Sequence, residues 1–250
     1  MKYDFISDIH GCFTELCELL SALGYQQNGK GFFHPGDRKA VFVGDITDRG
    51  DNSVEVIQLV SEMVSSDQAV YVPGNHCNKL YRYLIGRPVT INHGLETTVY
   101  EINSLTASKR KDIISTFLDL YKNAPLYASF DDEKVVAAHA GLTESLYGSY
   151  SKEAERFVLY GDVTGRKDKN GLPIRGDWAQ LYLGSRLVVY GHTPVLSARY
   201  VNKTVNIDTG CVFGNALTAF QYPEEKTLSV PSSYSFVPAK FPFDDVNMTM

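Results

Sequence analysis

Nowhere in the 250 residues does an apolar run approach the ~18 that a membrane-spanning helix needs, and the opening MKYDFISDIHG places no apolar stretch behind a basic cluster. The sequence therefore predicts a soluble cytoplasmic protein without a membrane partner. Cysteine is scarce, with four residues (Cys12, Cys17, Cys77 and Cys211) and no CxxC pair. That is too sparse for a disulfide framework in a chain of this size, and the thiols are expected to be reduced. An excess of positive charge is lacking too: 24 Lys and Arg stand against 29 Asp and Glu, a net charge of -5. An extended surface for gripping a nucleic acid backbone is thereby disfavoured, although a small local anion site is not. Low-complexity tracts and internal repeats are absent. What remains is an ordinary globular mixture, 44% hydrophobic and 21% charged, long enough to bury a substantial core.

The first third alternates strand and helix signals. KYDFIS and KAVFVGD are short β-rich runs, each ending in a cluster of Asp, Gly and His. Between them Leu16, Leu19, Leu20 and Leu23 recur at helical spacing with Glu15 and Glu18 on the other face, and Gly24 makes a C-terminal stop. Val56, Ile57, Val60 and Val64 repeat the period between Asn52 and Val64, ahead of a third strand, QAVYVPGNH. This order predicts a parallel sheet with its active groups at the carboxyl ends of the strands. Residues 93 to 124 read as helical and polar on one face. Strands resume with KVVAAHAG, RLVVYGHTP, TVNIDTGCVFG, LTAFQYP and TLSVPS. The last three leave no room for helices between them, which points to a second, partly antiparallel sheet packed on the first. The Pro- and Ser-rich stretch after Pro231 is expected to be a loosely held extension.

The chemistry sits at the strand ends. Asp8 and His10 lie two apart after the first strand, so continued strand geometry would project both from one face toward a shared cation. GDITDRG closes the second strand with Asp45, whose two carboxylate oxygens can bridge two metals, and puts Asp48 and Arg49 in the loop beyond. PGNH supplies Asn75 as a neutral oxygen ligand and His76 as a candidate proton donor, with Gly74 permitting a tight turn. His139 in AHAG and His192 in YGHTP each follow an apolar strand. Taken singly, each pattern also fits a helix cap, a polar turn or a satisfied core histidine. Four of only six histidines at strand ends, together with Asp8, Asp45 and Asn75, point instead to one constellation. Carboxylate, imidazole and amide ligation without thiolate suits Mn, Fe, Ni or Zn, with Mn or Ni preferred here, and two such ions are the usual apparatus for in-line attack at phosphorus.

DIHG, GDITDRG, PGNH, AHAG and GHTP resemble, in order, the signature blocks of the calcineurin-like metallophosphoesterases, in the phosphoprotein phosphatase branch. CNKLYRYL, HGLETT, FVLYGDVTGRKDKNGLPIRGDW, VVYGHTP and VNIDTGCVFGNALTAFQYP narrow the likeness to the bacterial PrpE group of asymmetrical bis(5'-nucleosyl)-tetraphosphatases. The same blocks are similar to the phosphatase module of bacterial polynucleotide kinase-phosphatase. The likeness runs from about residue 2 to about 233, implying one phosphoesterase domain over 1–233 and a tail over 234–250. The implied fold is α/β (α+β), two mixed sheets packed as a sandwich between helices. In the implied site Asp8, His10 and Asp45 hold one metal, and Asp45 bridges to a second held by Asn75, His139 and His192. Arg49 grips phosphate, and His76, oriented by Asp48, protonates the leaving oxygen. One departure is Cys77, where the wider phosphatase branch carries a carboxylate; it favours the narrower group over a general protein phosphatase.

The activity implied is cleavage of diadenosine tetraphosphate to ATP and AMP by direct attack of a hydroxide held between the metals. A protein or nucleic-acid-end phosphomonoesterase on the same metals is the alternative. A long polyanion needs clamps, for which Lys79, Arg82, Arg166 and Arg175 are candidates, each equally suited to solvated surface charge. Tyr81 and Trp178 are candidates for stacking on a base, though aromatic side chains more often fill cores. His93 and Glu96 are expected to form a local pair. Asp208 is a candidate to hydrogen-bond a metal-ligating histidine from behind.

Overall fold

The computed structural model describes residues 1–167 and 173–242. In chain order its elements are β1 (Lys2–Ser7), α1 (Phe13–Ala22), β2 (Gln26–Asn28), β3 (Gly31–Phe33), β4 (Arg38–Gly44), α2 (Ser53–Ser65), β5 (Ala69–Pro73) and α3 (Asn75–Leu84). There follow α4 (Leu95–Ser104), α5 (Ala107–Asn123), β6 (Ala128–Phe130), β7 (Val135–Ala137), α6 (Lys152–Tyr160), β8 (Val163–Lys167) and β9 (Pro173–Arg175). The chain then runs through β10 (Leu187–Tyr190), β11 (Arg199–Val201), β12 (Thr204–Asn206), β13 (Ala216–Tyr222) and β14 (Lys226–Pro231).

The β-branched runs form strands because each is apolar on both faces and is covered on both. The first sheet has the order β14-β13-β1-β4-β5, with β1, β4 and β5 parallel and the other two antiparallel. The second has the order β11-β12-β10-β7-β6, with β12, β10 and β7 parallel between antiparallel edges. Phe5, Val41, Val43, Val72 and Phe220 of the first sheet meet Val135, Ala137, Val189 and Val205 of the second across a dry interface. Each such side chain contributes about 1.5–3 kcal/mol on burial. Alternate residues Ile6, Phe42, Tyr71 and Ala219 turn the other way and pack under the helices α1 to α5. Behind the second sheet Val136, Val188 and Tyr190 pack against Val158 of α6 and Trp178. The result is the four-layer sandwich of two mixed sheets flanked by helices that the sequence predicts.

Three features depart from expectation. LTAFQYP and TLSVPS, which the sequence assigns to the second sheet, instead form β13 and β14 and extend the first, with Phe220 set opposite Phe5. Strand pairing was decided by which open edge their apolar face could cover, a tertiary choice that periodicity does not carry. Glu15 is buried rather than facing solvent, because its carboxylate accepts hydrogen bonds from the Ser233 amide at 2.9 Å and hydroxyl at 2.6 Å. The segment carrying Ser233 is therefore docked and not loose. Ser232 donates to the Cys211 carbonyl at 2.6 Å, Val237 N donates to the Phe213 carbonyl at 3.0 Å, and Phe241 is buried against Gly210.

Candidate metal centre

Every polar group of the constellation lies just past the carboxyl end of a strand: Asp8 after β1, Asp45 after β4, Asn75 and His76 after β5, His139 after β7, His192 after β10 and Asp208 after β12. The turns are sharp. Asp8, His10, Asp48, Arg49 and His192 adopt positive φ angles of 31°, 46°, 74°, 73° and 73°. Side chains other than glycine seldom tolerate this, at a cost on the order of 1–3 kcal/mol each, so the surrounding packing holds them there. Gly44, at φ 105°, and Gly191 have no Cβ because one would collide with His139 and with Asp8, respectively.

One half of the site is organised around His10 and His76. His10 Nδ1 donates to the Thr47 carbonyl at 2.8 Å, which leaves Nε2 as the lone-pair nitrogen, facing Arg49 Nη1. His76 Nδ1 pairs with Asp48 Oδ2 at 2.8 Å while its Nε2 meets Arg49 Nη2 at 2.8 Å. Asp48 in turn accepts from Thr98 Oγ1 at 2.8 Å, and its own amide donates to Thr98 Oγ1 and Ser53 Oγ. Burial pushes His76 below the ordinary histidine range. The Asp48 hydrogen bond opposes that shift, and Arg49 reinforces it. Arg49 also lies 5.1 Å above the Phe213 ring, a cation–π contact that fixes its fork.

The other half converges on His139. Its Nε2 stands 2.9 Å from Asn75 Oδ1, 2.9 Å from His192 Nδ1 and 3.5 Å from Asp45 Oδ2, and its Nδ1 stands 3.5 Å from Asp8 Oδ1. Both His139 Nδ1 and Asp8 Oδ1 are buried with no hydrogen-bond partner. His192 Nε2 faces the Arg175 guanidinium. Burial raises Asp8 to about 6 and Asp45 well above its usual range, with Asp8 adding repulsion to Asp45. It also lowers His10, His139 and His192 well below theirs. Neutral imidazoles beside desolvated carboxylates and an amide oxygen form a donor set that a divalent cation satisfies and protein donors do not. Ligand atoms of His10, Asp45 and His76 lie within 4.8 Å of one another, as do those of Asp45, His139 and His192. Asp45 is common to both groups. Its Oδ1 is steadied by the amides of His76 and Cys77 at the start of α3, at 2.8 and 3.3 Å, a helix end suited to an anion.

The placement corrects several expectations. Strand geometry ends at Ser7, so positive-φ turns at Asp8 and His10, not an extended strand, set the two side chains; Asp8 Oδ1 stands 3.5 Å from His139 Nδ1, and His10 has a ligand atom within 4.8 Å of those of Asp45 and His76. Asp208 accepts from the Gly210 amide at 3.0 Å, and no hydrogen bond from a site histidine reaches it among the described residues. Glu96 accepts from the Gly94 amide at 3.0 Å instead of pairing with His93. Trp178 is core, edge-on to Phe157 and Tyr182. Of the clamp candidates, Arg175 enters the site, Lys79 is tied to Asn92, Arg82 is exposed along α3, and Arg166 is exposed on β8. Cys77 is buried against Thr47, and burial raises its thiol to about 12. Thr98 and Ser7, which brace Asp48 and Asp8, carried no local signal in the sequence.

The calcineurin-like phosphoesterase family model matches residues 1–196. The chain belongs to that family. Among its relatives, the PrpE bis(5'-nucleosyl)-tetraphosphatase [asymmetrical] of Halalkalibacterium halodurans is 54% identical, with 96% of this chain and 98% of that one aligned. The protein of the same name from a Geobacillus species is 53% identical over the same shares. Solved structures share the fold at lower identity. A proposed diadenosine tetraphosphatase superposes with a TM-score of 0.65 at 23% identity, covering 92% of this chain and 93% of its own. A Saccharomyces cerevisiae serine/threonine phosphatase gives 0.61 at 14%, covering 95% and 81%. Among the described residues no helix is long and apolar enough to cross a membrane.

Proposed function

We propose that this phosphoesterase hydrolyses dinucleoside tetraphosphates asymmetrically, releasing ATP and AMP from diadenosine tetraphosphate. The observation that carries the reading is Asp45, shared by two ligand groups and flanked by two guanidiniums and a His76–Asp48 pair. The relatives' names supply the substrate class. Asp8, His10 and Asp45 would hold one divalent transition metal, and Asp45, Asn75, His139 and His192 a second; the mixed N and O donors suit Mn, Fe, Ni or Zn, of which Mn or Ni is proposed. Such ions supply Lewis-acid charge and lower the pKa of water to near neutrality.

The chain's own residues do the rest. Arg49 and Arg175 enter from opposite sides and neutralise non-bridging phosphate oxygens, for which a planar fork is better shaped than an ammonium. Water, giving up one proton to solvent, adds to phosphorus as the bridging P–O bond breaks, and the leaving phosphate takes a proton from His76 Nε2, which is protonated again from solvent. Asp48 holds the imidazole through Nδ1, and Thr98 holds Asp48. Without substrate, burial and Arg49 keep His76 deprotonated; a polyphosphate arriving against Nε2 brings the negative charge that favours imidazolium. All four cysteines are free thiols, which suits a cytoplasmic compartment.

Incubation of the Mn- or Ni-loaded protein with diadenosine tetraphosphate should yield equal ATP and AMP by anion-exchange chromatography. Two ADP, or an intact dinucleotide alongside brisk turnover of phosphopeptides or 3'-phosphorylated oligonucleotides, would replace this reading with a phosphomonoesterase.

A further inference from the structure

Helix α3 begins at the site and leads away from it. Asn75 opens the helix, Asn78 lies about one turn on, and Arg82 about two, roughly 10 Å from Asn75 at ~1.5 Å per residue. Asn78 and Arg82 line a hollow of about 460 Å³ closed on the other side by α6. Arg87, Lys152 and Arg156 complete its rim, and Glu155 is the one carboxylate lining it. Four cations against one anion is a local excess that the chain's net charge of -5 does not lead one to expect. All four cations are exposed, and none has an ion-pair partner among the described residues.

The hollow is joined to the metal centre by Tyr160. Its ring lines the hollow, and its carbonyl accepts from Arg175, the guanidinium that meets His192. Burial chiefly raises its hydroxyl, while Arg82 from one side and Asp45 from the other act on it in opposite senses. The wall is firm: Tyr81 stacks on Tyr121 with centroids 4.5 Å apart, and Asn78 donates to the Tyr121 hydroxyl at 2.6 Å. A larger hollow of about 650 Å³ beside α2 and α5 has the opposite character, with Glu62, Asp67 and Asp119 against Lys30.

We propose that the hollow between α3 and α6 is a polyphosphate subsite, which holds the phosphates of the departing nucleoside triphosphate while the scissile phosphorus sits among the metal ligands. This rests on the dinucleotide reading above. Exposed arginines suit a flexible polyanion, whose several charges find any of several forks without each needing one fixed partner. A triphosphate arm fills the four-cation hollow, whereas a single phosphate presents too little charge to compete for it. That preference selects which end of the substrate leaves as triphosphate, and so makes the cleavage asymmetrical.

The test is a charge reversal on the rim, Arg87→Glu with Arg156→Glu, in the full chain, with Lys152→Gln as a milder variant should the pair fail to fold. Titration calorimetry of inorganic tripolyphosphate and of ATP into metal-free protein should show wild-type binding weakened about tenfold in the double variant, as for removal of complementary charge at an interface. The kcat/KM for diadenosine tetraphosphate, divided by that for p-nitrophenyl phosphate, should fall by a similar factor of about ten. Wild-type protein that takes up neither anion, or variants that bind them as wild type does, would overturn the subsite. Should wild type release two ADP or none, the dinucleotide reading falls, and the tripolyphosphate titration alone then decides the hollow.

Discussion

Around Asp45 the ionisable groups are buried, several sit at positive φ, and His139 Nδ1 and Asp8 Oδ1 are left without a hydrogen-bond partner; along the α3–α6 hollow the cations stand in solvent with no assigned partner. The two regions touch through Tyr160 and Arg175, yet they solve different problems. Chemistry at phosphorus needs atoms fixed to fractions of an ångström, and the fold supplies that by accepting positive φ angles and desolvated carboxylates. Capture of a long polyanion needs charge within reach, and flexible exposed arginines supply that without such cost.

Asp45→Asn breaks the buried side of this comparison most. Turnover of any phosphoester should fall about a thousandfold, with metal content falling in parallel by plasma mass spectrometry. In metal-free buffer the same variant should melt higher than wild type. Asp45's folded pKa lies above its ordinary 3.8, so its contribution to stability is kept below pH 3.8 and lost as pH climbs through the raised value. The amide, which carries no such charge, does not suffer that loss, and a variant melting lower in EDTA would refute the account.

His76→Asn ranks next. A drop of about a hundredfold in kcat is expected on diadenosine tetraphosphate and a much smaller one on p-nitrophenyl phosphate, whose leaving group departs without a proton. Equal losses on both would assign His76 to the metal cradle rather than to proton transfer. Ionic strength probes the exposed side: raising salt from ~0.05 to ~0.5 M should increase KM for the dinucleotide by several fold while kcat moves little, since only solvent-facing charges are screened. The smallest effect lies away from both regions. Hydrogen bonds from Lys2 and Arg38 pull Glu224 down to about 2, so the stability it contributes is present above pH 4.5 and lost as pH falls toward 2. Glu224→Gln should therefore lower the melting temperature by about 1–2 °C near pH 7, with the gap closing in acid.

What could be read from the sequence follows the same division. The six proposed ligand positions were legible as candidates because each is a chemically loaded residue at the end of a β-rich run, and strand ends are where a parallel sheet exposes side chains. The mutual arrangement was not, since it depends on turns with positive φ at Asp8, His10 and His192 that no periodicity announces. Thr98 reaches Asp48 from fifty positions along the chain, and no local pattern announces such a contact. The hollow was invisible except through Arg82, because Arg87 just past α3 and Lys152 and Arg156 on α6 lie far apart in the sequence and look like solvated charge until α6 is laid beside α3. Likewise the pairing of β13 with β1 is a choice among open edges.

The docked C-terminal segment ties the end of the chain to catalysis. Val237 is bonded to Phe213, the ring on which Arg49 rests, and Lys240 sits 5.3 Å over that same ring. A chain trimmed after Pro231 would keep all six proposed ligands and still lose the buttress beneath Arg49, the arginine proposed to grip phosphate. Shortened proteins or fusions joined near Val237 should accordingly be sluggish enzymes with full metal occupancy.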